Sequence, residues 1–404
     1  MKLIVIGGGI GGLALSIALE KVGIEATIFE QAEELREAGV GVTLWHNALK
    51  VLRELGLESK VKSEGSSIKK MYLKNWQGKI FDMVPIQAWG ERLGSETICL
   101  TRPVLLKTLA EAIQKEKIVC SKRFVSCEQN GKQITAFFSD GSHVVADGLV
   151  GADGIFSVVR SYLLNTNREM QSQLLAPEFF KEKKPRYAGY TCWRGLANFS
   201  HPSFEEGVAA EYWGRGCRFA VLPCGKDLVF WYATKNSPEG TIKNPVGGKE
   251  EIVPDFASWE SPIPEIIAAT SNTDILRNDI IDRKPIKCWG RGLFTLLGDA
   301  AHPTTPNLGQ GACQALEDAV VLADSLRKEQ DVIKGMRCYE HLRFPRTAWI
   351  TKTSRQIGQI GQLQKASHCF LRDFFARTKW TQMYSLKQFY AAVDYSPPSL
   401  KKIA

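Results

Sequence analysis

Gly7, Gly9 and Gly12 stand at the G-x-G-x-x-G spacing inside KLIVIGGGIGGLALSIALEKVGIEATIFEQ, residues 2–31. The apolar run at 2–6 reads as a short buried strand and Leu13 to Val22 as a helix, so the glycines fall in a strand-to-helix turn. In such a turn the first glycine makes the bend. The second lets a pyrophosphate approach the backbone, and the third lets helix and strand pack closely. The helix start then turns unpaired N–H groups and the positive end of its dipole toward the phosphates. A second strand, Glu25 to Phe29, ends at Glu30, 18 residues after Gly12, with Gln31 beside it. An acidic side chain there accepts hydrogen bonds from the adenosine ribose and repels a 2′-phosphate, which points to FAD or NAD and away from NADP. The opening is therefore a dinucleotide site. A signal peptide fits poorly because glycines break its apolar stretch, and no run of about 18 uninterrupted apolar residues supports a membrane-spanning helix.

Two later motifs choose between the dinucleotides. In GLVGADGIFSVVRSYL a strand ends at Leu149-Val150, turns through Gly151-Ala152-Asp153-Gly154 and continues as a helix from Ser157 to Leu163. Taken alone, it is equally an ordinary capped strand–turn–helix. In GLFTLLGDAAHPTTPNLGQGACQALEDAVVLADSL the strand Leu293 to Leu297 delivers Gly298-Asp299 at its carboxyl end, where open α/β sheets bind ligands. A carboxylate beside a pyrophosphate is repelled, so Asp299 makes sense as an acceptor for hydroxyls such as those of a ribityl chain. A long helix begins near Gly309-Gln310-Gly311-Ala312. Small residues there admit a planar ring, and the helix dipole favours negative charge on a reduced flavin. The cofactor read from these residues is FAD. His302, in the loop after Asp299, reads as structural.

With these motifs in order, the chain resembles the single-component FAD-dependent aromatic-ring hydroxylases, the p-hydroxybenzoate-hydroxylase-like group, and within it the urate, salicylate and zeaxanthin branch. The likeness extends through Thr101-Arg102-Pro103, Tyr187-Ala188-Gly189-Tyr190 and Tyr339-Glu340-x-x-Arg343-x-Pro345-Arg346. It implies an α/β fold: a Rossmann-type FAD-binding domain at 1–72, 98–172 and 285–345, and an inserted antiparallel-sheet substrate domain at 73–97 and 173–284. A C-terminal helical segment follows at 346–404. Arg102 then lies near the FAD phosphates, and Val42 and Thr43 lie along the ribityl chain and ring. Val125 is counted with the same cofactor set. The implied activity is an FAD-dependent monooxygenase in which NAD(P)H, a transient co-substrate, reduces non-covalent FAD. Oxygen then reaches an aromatic or polyene small molecule by way of a flavin C4a-hydroperoxide. A dehydrogenase or reductase of the same superfamily, without oxygen transfer, is the alternative. A non-catalytic FAD-stabilised binding protein is a further one.

Substrate-side candidates come from the aromatic-rich, strand-like run at 186–235: Trp193, Arg218, Phe219, Val221 and Trp231, of which alternation turns only half toward the flavin. Arg218 matches an arginine that urate-hydroxylase relatives use against substrate, but Val229 replaces the aromatic partner expected on the next strand. An Arg218 facing substrate implies an anionic or carbonyl oxygen on a planar apolar body. His46 is a candidate for the flavin edge or the incoming nicotinamide, against a loop histidine capping the following helix. The ten cysteines form no C-x-x-C pair and no metal spacing, which suits a reduced cytoplasmic protein. The formal charge of +9 is spread along the chain, so it suits anionic cofactors or acidic substrates and not nucleic acid. The C-terminal stretch, rich in aromatics and Lys/Arg, reads as helices packed on the body, with a peripheral membrane contact as the lesser reading. Substrate identity, NADH against NADPH, and monomer against homodimer stay open.

Overall fold

The computed structural model describes residues 1–35, 40–170, 184–225, 228–242 and 245–400. The strands Phe294–Leu296, Gly148–Gly151, Lys2–Ile6, Glu25–Phe29 and Ile118–Val119 lie side by side, in that order, as a five-stranded sheet. Every pair in it is parallel. Leu3, Ile4 and Val5 are buried, as expected of a central parallel strand covered on both faces. The register aligns Ile6 with Phe29 and with Gly151, and Gly151 with Leu296. The carboxyl ends of four strands therefore share one edge. Gly7, Glu30, Asp153 and Asp299 are all delivered there. Helix Ile10–Lys21 leaves this edge and packs along helix Gly311–Glu329.

A second, seven-stranded sheet runs Ile275–Asp282, Arg186–Asn198, Leu228–Asn236, Cys217–Pro223, Val208–Trp213, Lys70–Asn75, Ile80–Val84. It is antiparallel except where Val208–Trp213 meets Lys70–Asn75. Its strands come from two separated stretches of chain. Helices Lys249–Phe256 and Ile263–Ala269 cover one face, where Trp193, Phe219, Trp231, Phe256, Ile263 and Ile266 form a closed apolar cluster. The other face is pressed onto the parallel-sheet half. Phe230 lies so close to Gly41 that a Cβ built there would fall 2.3 Å from the ring. Gly41–Leu44 itself pairs with Ile98–Thr101 in a small sheet between the halves.

The observed elements refine the expected segmentation. The seven-stranded sheet takes in Lys70–Asn75, which starts a little before the expected limit at residue 73, and the limit placed at 172/173 lies outside the described residues. Helix Val332–Gly361 runs straight through Arg346 with Pro345 inside it, so the C-terminal segment starts in mid-helix. It continues as helices Ala366–Ala376 and Lys379–Val393. Among the described residues no helix is long and apolar enough to cross a membrane.

Candidate active site

Gly7 has φ +110°, and a Cβ on it would sit 2.4 Å from the Ala152 carbonyl oxygen, so only glycine serves. A Cβ on Gly12 would lie 2.0 Å from the Gly7 carbonyl oxygen, which is how the third glycine seats the helix against the turn. Gly9 differs: a Cβ there would meet nothing within 4 Å. The middle glycine thus borders open space, at the end of a helix whose first N–H groups have no intrahelical acceptors. Glu30 Oε2 accepts from the Gly8 N–H at 2.7 Å and Oε1 from the Ala32 N–H at 2.9 Å, which holds this carboxylate at the rim of the turn. Gln31 is exposed next to it. Val125, also exposed, follows Lys122, whose N–H donates to the Glu30 carbonyl.

Asp153 turns inward. Its carboxylate accepts from Ser157 Oγ at 2.5 Å and from the Val158 N–H at 2.7 Å, capping the helix that follows. Burial raises its pKa. Asp299 is exposed at the end of Phe294–Leu296. The loop around it is fixed from below. Asp318, fully buried on helix Gly311–Glu329, accepts from the Gly298 N–H at 3.0 Å and from His302 Nε2 at 2.6 Å. Arg343 reaches Asp318 at 2.6 Å and its neighbour Glu317 at 2.5 Å, and Arg346 adds a second contact to Glu317 at 2.8 Å. Burial pushes both carboxyls up, but the cations outweigh it. Asp318 is held down to about 2, and Glu317 also lies below its usual range. Two adjacent buried carboxylates are tolerable only because each is paired and hydrogen-bonded.

The amino end of this helix completes the edge. A Cβ on Gly311 would meet only Thr304 Cγ2, at 4.0 Å, so the helix start borders open space. Cys313 Sγ donates to the Thr43 carbonyl at 3.8 Å, tying the helix to Gly41–Leu44, where Val42 and Thr43 are half-buried. Arg102 heads helix Arg102–Ala110, and its backbone N–H donates to Val40 at 2.8 Å, so it belongs to the same region. The Gln310 side chain is buried, and its Oε1 accepts from Asn47 Nδ2 and Gln314 Nε2, both at 2.9 Å.

Residues 1–183 match the FAD binding domain family. The aurachin C monooxygenase/isomerase of Stigmatella aurantiaca is 36% identical over 381 residues, covering 93% of this chain and 94% of that protein. The chain belongs to the single-component FAD-dependent monooxygenases. A Klebsiella pneumoniae FAD-dependent urate hydroxylase is 29% identical over 92% of this chain and 95% of its own length. The solved K. pneumoniae HpxO complexed with FAD and uric acid superposes with TM-score 0.88 at 27% identity, over 98% of this chain and 97% of that one. This monooxygenase binds FAD, and the residues suit it. The turn at Gly9 and the helix start at Gly311 border open space, and the carboxylates of Glu30 and Asp299 stand at the same edge, features that would suit a pyrophosphate, a ring and hydroxyls respectively.

The substrate-side candidates of this monooxygenase need correction. Trp193, Phe219, Val221 and Trp231 lie in the cluster under Lys249–Phe256 and Ile263–Ala269, on the face turned away from the FAD half. Phe219 and Trp231 stack at 5.4 Å, and Trp231 Nε1 donates to Thr270 Oγ1 at 2.8 Å, so these aromatics are core. Alternation puts Leu196, Leu222, Phe230 and Tyr232 on the opposite face, packed with the FAD half. Arg218 is on that second face, but it is neither a surface cation nor free for a ligand. It pairs with Glu211 at 3.2 Å and donates to Asn307 Oδ1 at 2.7 Å and Gln362 Oε1 at 2.8 Å, with the Tyr190 ring 5.4 Å away. An anionic substrate oxygen is not needed to satisfy it. His46 is corrected as well. It is no loop residue but the first residue of helix His46–Leu55, completely buried, with Nδ1 3.1 Å from the Ser95 carbonyl. It lines a cavity of about 420 Å³ with Arg53, Lys62, Ile86 and Ser95, and that lining includes none of the other cofactor candidates.

Sequence reasoning overlooked Glu211, Glu317 and Asp318. The signal for the last two was present: adjacent acids inside an otherwise apolar helical stretch, ALEDAVVLA, demand buried cations.

Proposed function

We propose that this enzyme uses NAD(P)H and O2 to hydroxylate or epoxidise a neutral aromatic or conjugated apolar small molecule. The observation that carries the substrate class is the Arg218–Glu211 pair. On the face toward the FAD half, Leu196, Leu222, Phe230 and Tyr232 are apolar and aromatic and pack against that half. The buried cation among them is already neutralised by a carboxylate. An anionic substrate would displace Glu211 or confront it, and like charges brought together in a poorly solvated space are strongly disfavoured.

When bound, FAD accepts hydride from the nicotinamide and activates oxygen. The turn at Gly7, Gly9 and Gly12 and the side chain of Arg102 hold the phosphates, and Glu30 and Asp299 accept from hydroxyls. Val42, Thr43 and the backbone of Gly309, Gln310, Gly311 and Ala312 would flank the ring. The positive dipole at the amino end of helix Gly311–Glu329 would favour negative charge on a ring held there. Asp318, held by Arg343 and His302, keeps the Asp299 loop in position. The seven-stranded sheet excludes water from the reacting centre, which oxygen transfer requires. No second G-x-G-x-x-G occurs, which supports a transient nicotinamide. Ten free cysteines support a reduced, cytoplasmic setting.

The test is stimulation of NAD(P)H oxidation by matched neutral and anionic aromatic compounds. Neutral compounds should stimulate, and urate and salicylate should not. Glu211→Gln, which keeps shape and removes the charge, should lower the KM for anionic compounds by about tenfold or more, equivalent to ~1.4 kcal/mol. Stimulation of the wild type by anions alone would overturn the assignment.

A further inference from the structure

We propose that the two C-terminal helices dock the enzyme on an anionic lipid surface. Helix Ala366–Ala376 is amphipathic the wrong way round for a soluble face. Phe370, Leu371, Phe374 and Phe375, at i, i+1, i+4 and i+5, all point to solvent, with Phe370 71% exposed. The side facing the body carries Cys369 and Arg372. Arg372 is buried, donates to the Gly214 carbonyl at 3.2 Å and lies 5.3 Å from the Trp213 ring. Helix Lys379–Val393 repeats the pattern. Trp380, Met383 and Tyr384 are exposed at i, i+3 and i+4, and Trp380 stacks on Tyr384 at 6.1 Å while remaining 78% exposed. Gln382 Nε2 donates to the Phe81 carbonyl at 2.6 Å, and Arg377 lies 5.2 Å from the Phe81 ring. These contacts anchor the helices beside strand Ile80–Val84, whose Ile80 and Met83 are also exposed.

An exposed apolar surface of this size marks an interaction face, and its charges choose the occupant. Between Lys365 and Val393 there are five Lys/Arg residues and a single acid, Asp373. Asp373 is engaged by Arg372 at 2.8 Å. Exposed Lys365, Arg377, Lys379 and Lys387 frame the aromatics. A second copy docking on this face would bring like charges together, whereas anionic headgroups complement them. Trp and Tyr suit the headgroup level, Phe and Leu the acyl boundary, and basic side chains the phosphates. No helix among the described residues is long and apolar enough to cross a bilayer, and the contact proposed is one with the headgroup region. The inner side of Lys379–Val393 reaches the site. Phe389 packs on Trp45 at 4.8 Å, and a Cβ on Gly309 would fall 2.7 Å from Trp45 Nε1.

The experiment is sedimentation of the FAD-loaded full chain with vesicles of phosphatidylglycerol and phosphatidylcholine, against pure phosphatidylcholine, at low and high salt. The wild type should pellet with the anionic vesicles, and salt should release part of it. Phe370→Ser/Phe374→Ser/Trp380→Ser should weaken partitioning by about tenfold or more, and Lys379→Glu/Lys387→Glu should do so with the apolar surface intact. Both variants should keep full flavin content, which separates lost docking from lost folding. Absence of vesicle binding by the wild type, or binding unchanged in both variants, would overturn the proposal. So would light scattering that shows a wild-type dimer made monomeric by the serine variant, because the face would then belong to a second copy.

Discussion

Substituting Gly9 and Gly12 by alanine, one at a time, separates cofactor binding from folding. The structure sets the two residues apart by what an added methyl would meet. At Gly12 the Cβ falls 2.0 Å from the Gly7 carbonyl oxygen, a backbone atom that cannot rotate away. At Gly9 it meets nothing within 4 Å, and the backbone there, φ −75° and ψ −178°, is open to any residue. Gly12→Ala is therefore an overpacking substitution, which costs about 1–3 kcal/mol or more of stability. Gly9→Ala leaves the apoprotein within ~0.5 kcal/mol of the wild type. Its effect is reserved for the ligand. A methyl in the space we propose for the pyrophosphate should weaken FAD binding at least tenfold, about 1.4 kcal/mol. Thermal melting of the apoprotein reads the first quantity and quenching of flavin fluorescence the second. Gly9→Ala protein that binds FAD like the wild type would refute the placement of the pyrophosphate. A destabilised Gly9→Ala apoprotein would refute the reading of the turn as open space.

Other outcomes follow from the same geometry. Asp299→Ala should weaken FAD binding more than it alters the fold, by about 10–150-fold through loss of one charge-assisted hydrogen bond of ~1.5–3 kcal/mol; titration of the apoprotein checks it. Arg343→Met should lower stability by about 3–5 kcal/mol, because Glu317 and Asp318 stay buried without their shared cation; denaturant unfolding measures it. Burial lowers the pKa of His46 below its ordinary 6.5. The folded protein thus holds this proton less tightly than the unfolded chain, and its contribution to stability is complete above pH 6.5 and lost as pH falls below it. His46→Gln should flatten the melting temperature against pH in that window.

The parallel-sheet half was legible because its signals are local. Strands Lys2–Ile6 and Glu25–Phe29 have the bounds that the apolar runs and the glycine turn imply. The turn glycines announce their own steric need. The substrate-side sheet was legible as a sheet but not as a surface. Period-two alternation sorts Trp193, Phe219, Val221 and Trp231 into one set and Leu196, Leu222, Phe230 and Tyr232 into another. Only the packing of Lys249–Phe256 and Ile263–Ala269, distant in sequence, decides which set becomes core. Aromatic richness favoured the wrong set, since large aromatics serve cores as well as ligands. Arg218 was found, but its partner was not, because Glu211 reaches it only through the pairing of Val208–Trp213 with Cys217–Pro223. Arg343 was visible as part of a familiar pattern. Its task of holding Asp318 under the Asp299 loop needs a helix–helix contact that no local pattern encodes.

The central claim, oxygen transfer to a neutral apolar substrate, is tested most directly by isotope labelling. The FAD-loaded enzyme is supplied with NAD(P)H, a stimulating aromatic or polyene compound and ¹⁸O2, and the product is analysed by mass spectrometry. Oxygen transfer predicts a product carrying one labelled oxygen atom, with little hydrogen peroxide released. NAD(P)H oxidation that yields an unlabelled, oxidised or reduced product would contradict it and assign the enzyme to flavin dehydrogenase chemistry instead.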